Sequence, residues 1–377
     1  MQISSASLSV GTVDRRIAQS LVQAGSEFEL LVASCRFAFR GGGGGLSDIP
    51  SKIEWDRLAG LATRHRVEAL VWNFVKAMDL APTADATASE FSARAARTVA
   101  GNLTSTRQCA VLRDELERSG IPVIFVKGLT LGKLAYSDPF LKMSADIDIL
   151  VAKDAAEAAA SVLAALGYRL TIPSVTVPST QFTRWHRRRK ESVWRASSGL
   201  SIELHTRLAD NRRLIPHIGL DSPQQLVEVA NGIVLPTLAT EELFAYLCVH
   251  GASSAWFRLK WISDLAGLLH GLSPAEITGL HERAVELGSG RAAAQALLLA
   301  KALFDVPLEP RLAERLEGER ANRWLAEQAL RALLSGPEPT STLFGTWPIH
   351  ITQFAMLRNP SFKLSELRRQ LLDSVLG

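Results

Sequence analysis

Two aspartates separated by one residue form the clearest candidate for chemistry in this sequence. Asp146 and Asp148 lie in the run ADIDILV at residues 145–151, where charged and apolar residues alternate. This alternation predicts a β-strand with both aspartates on one face. Two like charges side by side cost free energy unless a cation lies between them, and carboxylate oxygens suit Mg²⁺ or Mn²⁺. The pair therefore predicts a metal site or, alternatively, the solvent-facing edge of an amphipathic strand.

A third acid belongs to a second alternating segment, SIELH at residues 201–205, where Glu203 shares a face with His205. If this strand lies beside the first, three carboxylates converge. Three carboxylates can hold two divalent ions, which activate an attacking oxygen and stabilise a leaving pyrophosphate. The alternatives are a solvated hairpin residue for Glu203 and a satisfied polar residue at a strand end for His205.

Lys127 and Gly128 directly follow the apolar run IPVIFV at residues 121–126. A strand-to-helix junction presents backbone N–H groups and a helix dipole to phosphate, and a lysine adds a point charge. The segment GLTLGK at residues 128–133 has three residues between its glycines, whereas a P-loop needs four. A P-loop is therefore excluded, and a simpler phosphate contact at Lys127 and Gly128 is expected.

The elements around these residues predict an α+β protein with a small mixed-sheet core flanked by N- and C-terminal helical regions. Helical spacing is found at residues 13–39, 52–78, 89–119, 128–136, 153–166 and from Pro223 almost to the end. Strands are predicted at residues 121–126, 145–151, 168–172, 191–196 and 200–206, the last two as a hairpin. The predicted regions are an N-terminal helical region (1–119) with a flexible glycine-rich loop at 41–45, the core (120–210) and a C-terminal helical domain (211–377).

Three motifs in order give this chain a resemblance to a known family. VIFVKGLTLGKLAYSDPFLKMSADIDILV, SIELHTRL and LCVHGASSAWFRLKWISDLAGLL resemble the motifs of uncharacterised bacterial nucleotidyltransferases in the polymerase-β-like superfamily. The matching positions are Lys127, Gly128, Tyr136, Asp146, Asp148, Glu203, Arg207, His250, Trp256, Arg258, Trp261 and Asp264. Lys142 stands where the family usually has Arg, and Ser254 where it often has a second His.

The resemblance implies metal-dependent transfer of a nucleoside monophosphate from an NTP to an acceptor hydroxyl, with release of pyrophosphate. Asp146, Asp148 and Glu203 are then the catalytic residues and the ligands of Mg²⁺ or Mn²⁺. The predicted substrate- or phosphate-binding residues are Lys127, Gly128, Lys142, Arg187, Arg188, Arg189, His205, Arg207, His250 and Asp264. Two alternatives stay open: the same fold acting on a nucleotide-sugar or other phosphate donor, and a non-catalytic protein that binds a nucleotide or a partner.

The charge and composition of the chain limit the classes of molecule that it is expected to bind. The excess of 42 Lys+Arg over 38 Asp+Glu is too small to favour a dedicated nucleic-acid binder. The acceptor therefore stays open among a protein, a peptide and a small molecule, with a nucleic acid as a less favoured alternative. The densest basic run, RWHRRRK at residues 184–190, predicts a clamp for a triphosphate or polyanionic acceptor, or a solvated loop. The sequence shows neither a secretory signal nor an apolar stretch of membrane-spanning length, which predicts a cytoplasmic protein.

Overall fold

The computed structural model describes residues 24–39, 53–80, 86–136, 138–336, 338–339 and 345–376. Over these ranges the chain forms a five-stranded mixed sheet with helices before and after it, so the α+β prediction is confirmed. The predicted glycine-rich loop at 41–45 lies outside the described residues. Within the described ranges we find no helix whose length and apolar character would let it cross a membrane.

Among the described residues, four helices precede the sheet: α1 (Ser26–Phe39), α2 (Trp55–His65), α3 (Glu68–Ala77) and α4 (Ala86–Arg118). The predicted single helix at 52–78 is two helices, because Arg66 adopts a left-handed conformation (φ 56°) and ends α2. The last turns of α4 bury Cys109, Leu112 and Leu116 against the sheet. These positions recur every three or four residues, so one stripe of α4 faces the core.

The central sheet has the strand order β1-β2-β5-β4-β3. Its strands are β1 (Ile124–Phe125), β2 (Asp146–Leu150), β3 (Arg169–Ile172), β4 (Glu191–Arg195) and β5 (Ser201–His205). Helix α5 (Leu129–Ala135) follows β1, α6 (Ala156–Ala165) follows β2 and α7 (Thr180–Arg188) follows β3. Strands β2 and β5 are parallel, whereas the other pairs are antiparallel, and β4 and β5 form the predicted hairpin.

A second sheet interrupts the predicted helical region after Pro223. Strands β6 (Gln224–Ala230) and β7 (Ile233–Leu238) form an antiparallel hairpin, so the prediction of helix is wrong for these residues. The turn between them contains Gly232 at φ 74°, a conformation that favours glycine. Strand β7 packs beside β1 and extends the apolar core of the α/β region.

Eight helices of the described residues follow the second sheet. They are α8 (Thr240–Ser253), α9 (Leu259–Leu269), α10 (Pro274–Glu286), α11 (Gly290–Phe304), α12 (Pro310–Gly318), α13 (Arg320–Leu334), α14 (Trp347–Ala355) and α15 (Pro360–Leu376). Between α8 and α9 the chain reverses tightly, and the Trp256 ring lies directly against Gly251, where a Cβ atom would collide with it. The indole nitrogen of Trp256 donates to Gln295 Oε1 at 3.2 Å, which fixes this turn to α11.

The two faces of β2 have different roles. Ile147 and Ile149 point into the core formed with α4 and α6. The alternation of a strand sends Asp146 and Asp148 to the opposite face, toward α8 and α9. The acidic face of the sheet is therefore covered by helices, and a small cavity lies between them.

Candidate active site

The parallel pairing of β2 with β5 brings the predicted acids together. Asp148 lies opposite Glu203 in the register, and Asp146 lies opposite Ser201. Asp148, Glu203 and His205 each offer a ligand atom within 4.8 Å of the other two. Asp146 lines the same cavity as Asp148. All three carboxylates therefore share one face of the sheet at one site.

Two cations neutralise Asp148. The Lys127 ammonium lies 2.8 Å from Asp148 Oδ1, and His205 Nε2 lies 3.1 Å from the same oxygen. Burial alone would raise the pKa of Asp148, but Lys127 and His205 outweigh it and hold that pKa well below its usual range. Burial likewise opposes the charge on Lys127, yet the carboxylates raise its pKa well above its usual range. Both groups are therefore charged at neutral pH.

His205 is the centre of a network of acids. Its Nδ1 lies 3.2 Å from Glu191 Oε2, and its Nε2 lies 3.3 Å from Glu203 Oε2. Burial lowers the pKa of His205, but its hydrogen bond with Asp148 and the nearby glutamates raise it overall to about 9. Burial also raises the pKa of Glu203, to about 7, against the opposing hydrogen bond from His205. Glu203 can therefore gain or lose a proton near neutral pH.

Glu191 was not among the residues predicted from the sequence. It pairs with His205 in the antiparallel register of β4 and β5, and its backbone oxygen accepts a hydrogen bond from Trp185 Nε1 at 2.7 Å. The predicted hairpin contained the signal that could have identified it, because residues opposite each other in a hairpin have neighbouring side chains.

A wall of lysines faces the acids across a cavity of about 40 Å³. Lys142 Nζ lies 3.5 Å from Asp264 Oδ2, and the Tyr136 hydroxyl donates to Asp264 Oδ1 at 3.0 Å. Lys260 lines the same cavity, and no described residue forms an ion pair or hydrogen bond with its ammonium group. Burial, reinforced by Lys142, lowers the pKa of Lys260 to about 7.

Lys260 was also missed in the sequence analysis, although it lies inside the third motif. His250, which the motif did suggest, borders the same cavity. Its ring contacts Tyr246 and Trp261, with centroids 5.9 and 5.8 Å away. Burial lowers its pKa well below the usual value, so His250 is a neutral imidazole. Arg258 of the same motif pairs with Glu338, because its Nε and Nη2 each donate to a carboxylate oxygen at 3.0 Å.

The remaining predicted residues lie elsewhere. Arg207 donates to the backbone oxygens of Ala209 and His186 at 3.2 Å and of Arg188, so its guanidinium group holds the end of α7 against β5. The predicted phosphate ligands Arg187, Arg188 and Arg189 line a separate groove. The basic run is not a loop for most of its length. It forms the last turns of α7, which begins after Ser179, whose Oγ accepts from the Phe182 amide at 3.1 Å.

The donor set fits a hard divalent cation. Asp146 and Asp148 line the cavity, and Glu203 lies within ligand distance of Asp148, so the three residues offer carboxylate oxygens, the ligands that Mg²⁺ and Mn²⁺ prefer. Gly128 borders the same space at φ 66°, and a Cβ atom there would lie 3.2 Å from Ser144 Oγ. Glycine therefore keeps the backbone open beside Lys127.

Comparison with known proteins agrees with this geometry. Residues 51–305, about two-thirds of the chain, match the model of a family described as uncharacterised nucleotidyltransferase. This range contains every cavity residue named above, from Lys127 to Asp264. No curated protein matches the sequence. The chain therefore belongs to this family of uncharacterised nucleotidyltransferases.

Proposed function

We propose that the protein is a metal-dependent nucleotidyltransferase that moves a nucleoside monophosphate from an NTP to an acceptor hydroxyl and releases pyrophosphate. The observation that carries this proposal is the pairing of Asp148 with Glu203 across β2 and β5, with Asp146 and a wall of lysines in the same cavity. The order of the three sequence motifs further supports a bacterial member of the polymerase-β-like superfamily.

The lysines receive the donor phosphates. Lys127 and Lys142 each already pair with one carboxylate, whereas Lys260 has no partner among the described residues. A donor phosphate placed beside Lys260 supplies the anionic charge that Lys260 lacks, so its ammonium form becomes favourable. The predicted contact of phosphate with the backbone at Gly128 is part of the same proposal.

Asp146, Asp148 and Glu203 would hold one or two Mg²⁺ or Mn²⁺ ions. When bound, such ions offset charge on the transferring phosphoryl group and lower the pKa of an attacking oxygen. In this proposal Glu203 also accepts the proton of the acceptor hydroxyl, because its carboxylate lies beside Asp148 and is held by His205. His205 is a positioning residue, since it fixes Asp148 and Glu203 through one imidazole edge.

One observation favours a second candidate, a non-catalytic nucleotide-binding protein. Lys127 and His205 already neutralise Asp148 without a metal ion. In that case the lysines would bind phosphates while the carboxylates served only to hold the cations. A donor other than an NTP, such as a nucleotide-sugar, is the third possibility carried by the same site.

The test is incubation of the purified protein with each labelled NTP, or with a nucleotide-sugar, in the presence of Mg²⁺ or Mn²⁺ and fractionated cell extract. Mass spectrometry should detect a nucleoside monophosphate adduct with wild type and with the control D221N, which changes an exposed aspartate. D146N should abolish the adduct. Nucleotide binding without any adduct in all fractions would favour the non-catalytic candidate, and a glycosyl adduct would favour the third.

A further inference from the structure

A large groove lies between α7 and the C-terminal helix α15, outside the cavity of the carboxylates. Its volume is about 520 Å³, and seven arginines line it. Four of them belong to residues 184–189, one is Arg212, and α15 contributes Arg368 and Arg369. The single acid among the lining residues, Asp210, lies 3.7 Å from Lys190 Nζ, so its charge is already offset. We call this feature the arginine groove.

Most of these arginines are not used by the fold. Arg369 pairs with Glu366, and the Arg189 guanidinium lies over the Trp185 ring at 5.7 Å. The side chains of the other five, Arg184, Arg187, Arg188, Arg212 and Arg368, are exposed and form no ion pair or hydrogen bond with described residues. Like charges gathered without partners repel each other, so an anionic ligand would relieve an existing cost.

The rest of the lining defines the kind of anion. Trp185 is held in place by its hydrogen bond to the Glu191 oxygen, and Pro173, Val175 and Leu372 add apolar surface. The volume lies in the range of small-molecule sites. Guanidinium groups match phosphate oxygens in a bidentate geometry. These properties together fit a small molecule that carries several phosphate groups and an organic part.

A chain of ion pairs joins the groove to the carboxylates. Lys190 contacts Asp210 of the groove and lies 3.4 Å from Glu191 Oε2. Glu191 in turn lies 3.2 Å from His205, which contacts both Asp148 and Glu203. Four successive ion-pair contacts thus link Asp210 in the groove to Asp148 and Glu203. One set of cations, the lysines, therefore lines the cavity of the carboxylates, and the arginines line the groove at the other end of this chain of ion pairs.

We propose that the arginine groove binds the phosphate groups of the acceptor, and that this acceptor is a small phosphate-bearing molecule with a free hydroxyl. The role of this ligand as an acceptor rests on the proposed nucleotidyl transfer, whereas the existence of a phosphate site in the groove does not. Binding to the groove can therefore be measured without metal, donor or turnover.

The experiment uses the full chain and inorganic tripolyphosphate as the probe, in EDTA, followed by calorimetry at several salt concentrations. The variant R187Q/R188Q/R368Q removes three groove charges, and R97Q/R311Q/R320Q removes three exposed charges elsewhere as a matched control. We expect the groove variant to bind the probe at least about tenfold more weakly, with a shallower salt dependence. The control should bind like wild type.

Two further measurements complete the test. Affinity for ATP with Mn²⁺ should be equal in the groove variant and wild type, because the donor is held by the lysines. Loss of ATP affinity in the groove variant would overturn the proposal by making the groove a donor site, as would unchanged probe binding. If an unstructured RNA binds more than tenfold more tightly than the probe, the ligand of the groove is a nucleic acid and not a small molecule, and the proposal is overturned. Absence of nucleotidyl transfer with intact groove binding would count against the proposed function alone.

Discussion

Lys260 is the residue whose substitution tests the electrostatics of the cavity most directly. No described residue neutralises its ammonium group, and Lys142 adds repulsion. Replacing it by methionine removes a charge that the fold does not compensate while it keeps most of the side-chain volume. We therefore expect K260M to be more stable than wild type at low pH, and to bind NTP more weakly.

The magnitude follows from the pKa. A fall from 10.5 to about 7 corresponds to at most about 5 kcal/mol. Because the side chain keeps some contact with solvent, we expect about 2–3 kcal/mol. Below pH 7 Lys260 is charged in both the folded and the unfolded state, so the full free-energy cost of burying the charge reduces the stability of the wild type. As the pH rises from 7 to 10.5, the folded state has lost the proton while the unfolded chain still holds it, so wild type gains stability.

The assay is urea unfolding at pH 6, 8 and 10 in EDTA, with wild type, K260M and the control K76M, which changes an exposed lysine of α3. The excess stability of K260M over wild type should be largest at pH 6 and should nearly vanish at pH 10. K76M should follow wild type throughout. A constant difference between K260M and wild type across this range would refute the reasoning, because it would show that Lys260 titrates normally.

Three other substitutions test the site and its support. H205Q should lower the free energy of unfolding by up to about 3 kcal/mol at pH 6, because the rise in the pKa of His205 from 6.5 to about 9 stabilises the folded state below pH 6.5. Unfolding measured at increasing pH should show this difference disappear as the pH rises through 9. D146N should bind Mn²⁺ at least about tenfold more weakly by calorimetry with unchanged or slightly higher stability, and equal affinity would contradict a metal role. G251A should cost about 1–3 kcal/mol in denaturant unfolding because its Cβ atom meets the Trp256 ring, whereas G101A, which has open space around it, should not destabilise.

The elements that carry the acids were predictable because their patterns are strict. The alternation of polar and apolar residues at 145–151 and 201–205 predicted β2 and β5, and the turn residues at 197–199 predicted the β4–β5 hairpin. The hairpin of β6 and β7 was missed although Asn231-Gly232 is a strong turn signal. Its apolar residues do not alternate cleanly, since Leu226 is 73% exposed while Val227 is buried. The surrounding helical spacing therefore dominated the interpretation.

The charge partners could not be predicted in the same way. The cation that neutralises Asp148 is determined by how β1 and β2 place Lys127 beside it. Whether Lys260 has an anionic partner is determined by the packing of α9. The spacing of residues in the sequence predicts only local geometry, whereas these ion pairs join residues that are far apart in the chain. Arg258, for example, pairs with Glu338, which lies 80 residues away along the chain.

The family match covers all three lysines of the cavity but only five of the seven arginines of the groove. The matched range, 51–305, includes Lys127, Lys142 and Lys260, but Arg368 and Arg369 of α15 lie beyond it. A site for the NTP is required of every nucleotidyltransferase, whereas the acceptor differs from one enzyme to another. We therefore expect relatives to keep the lysine wall, and to differ in the arginine groove according to the acceptor that each one uses.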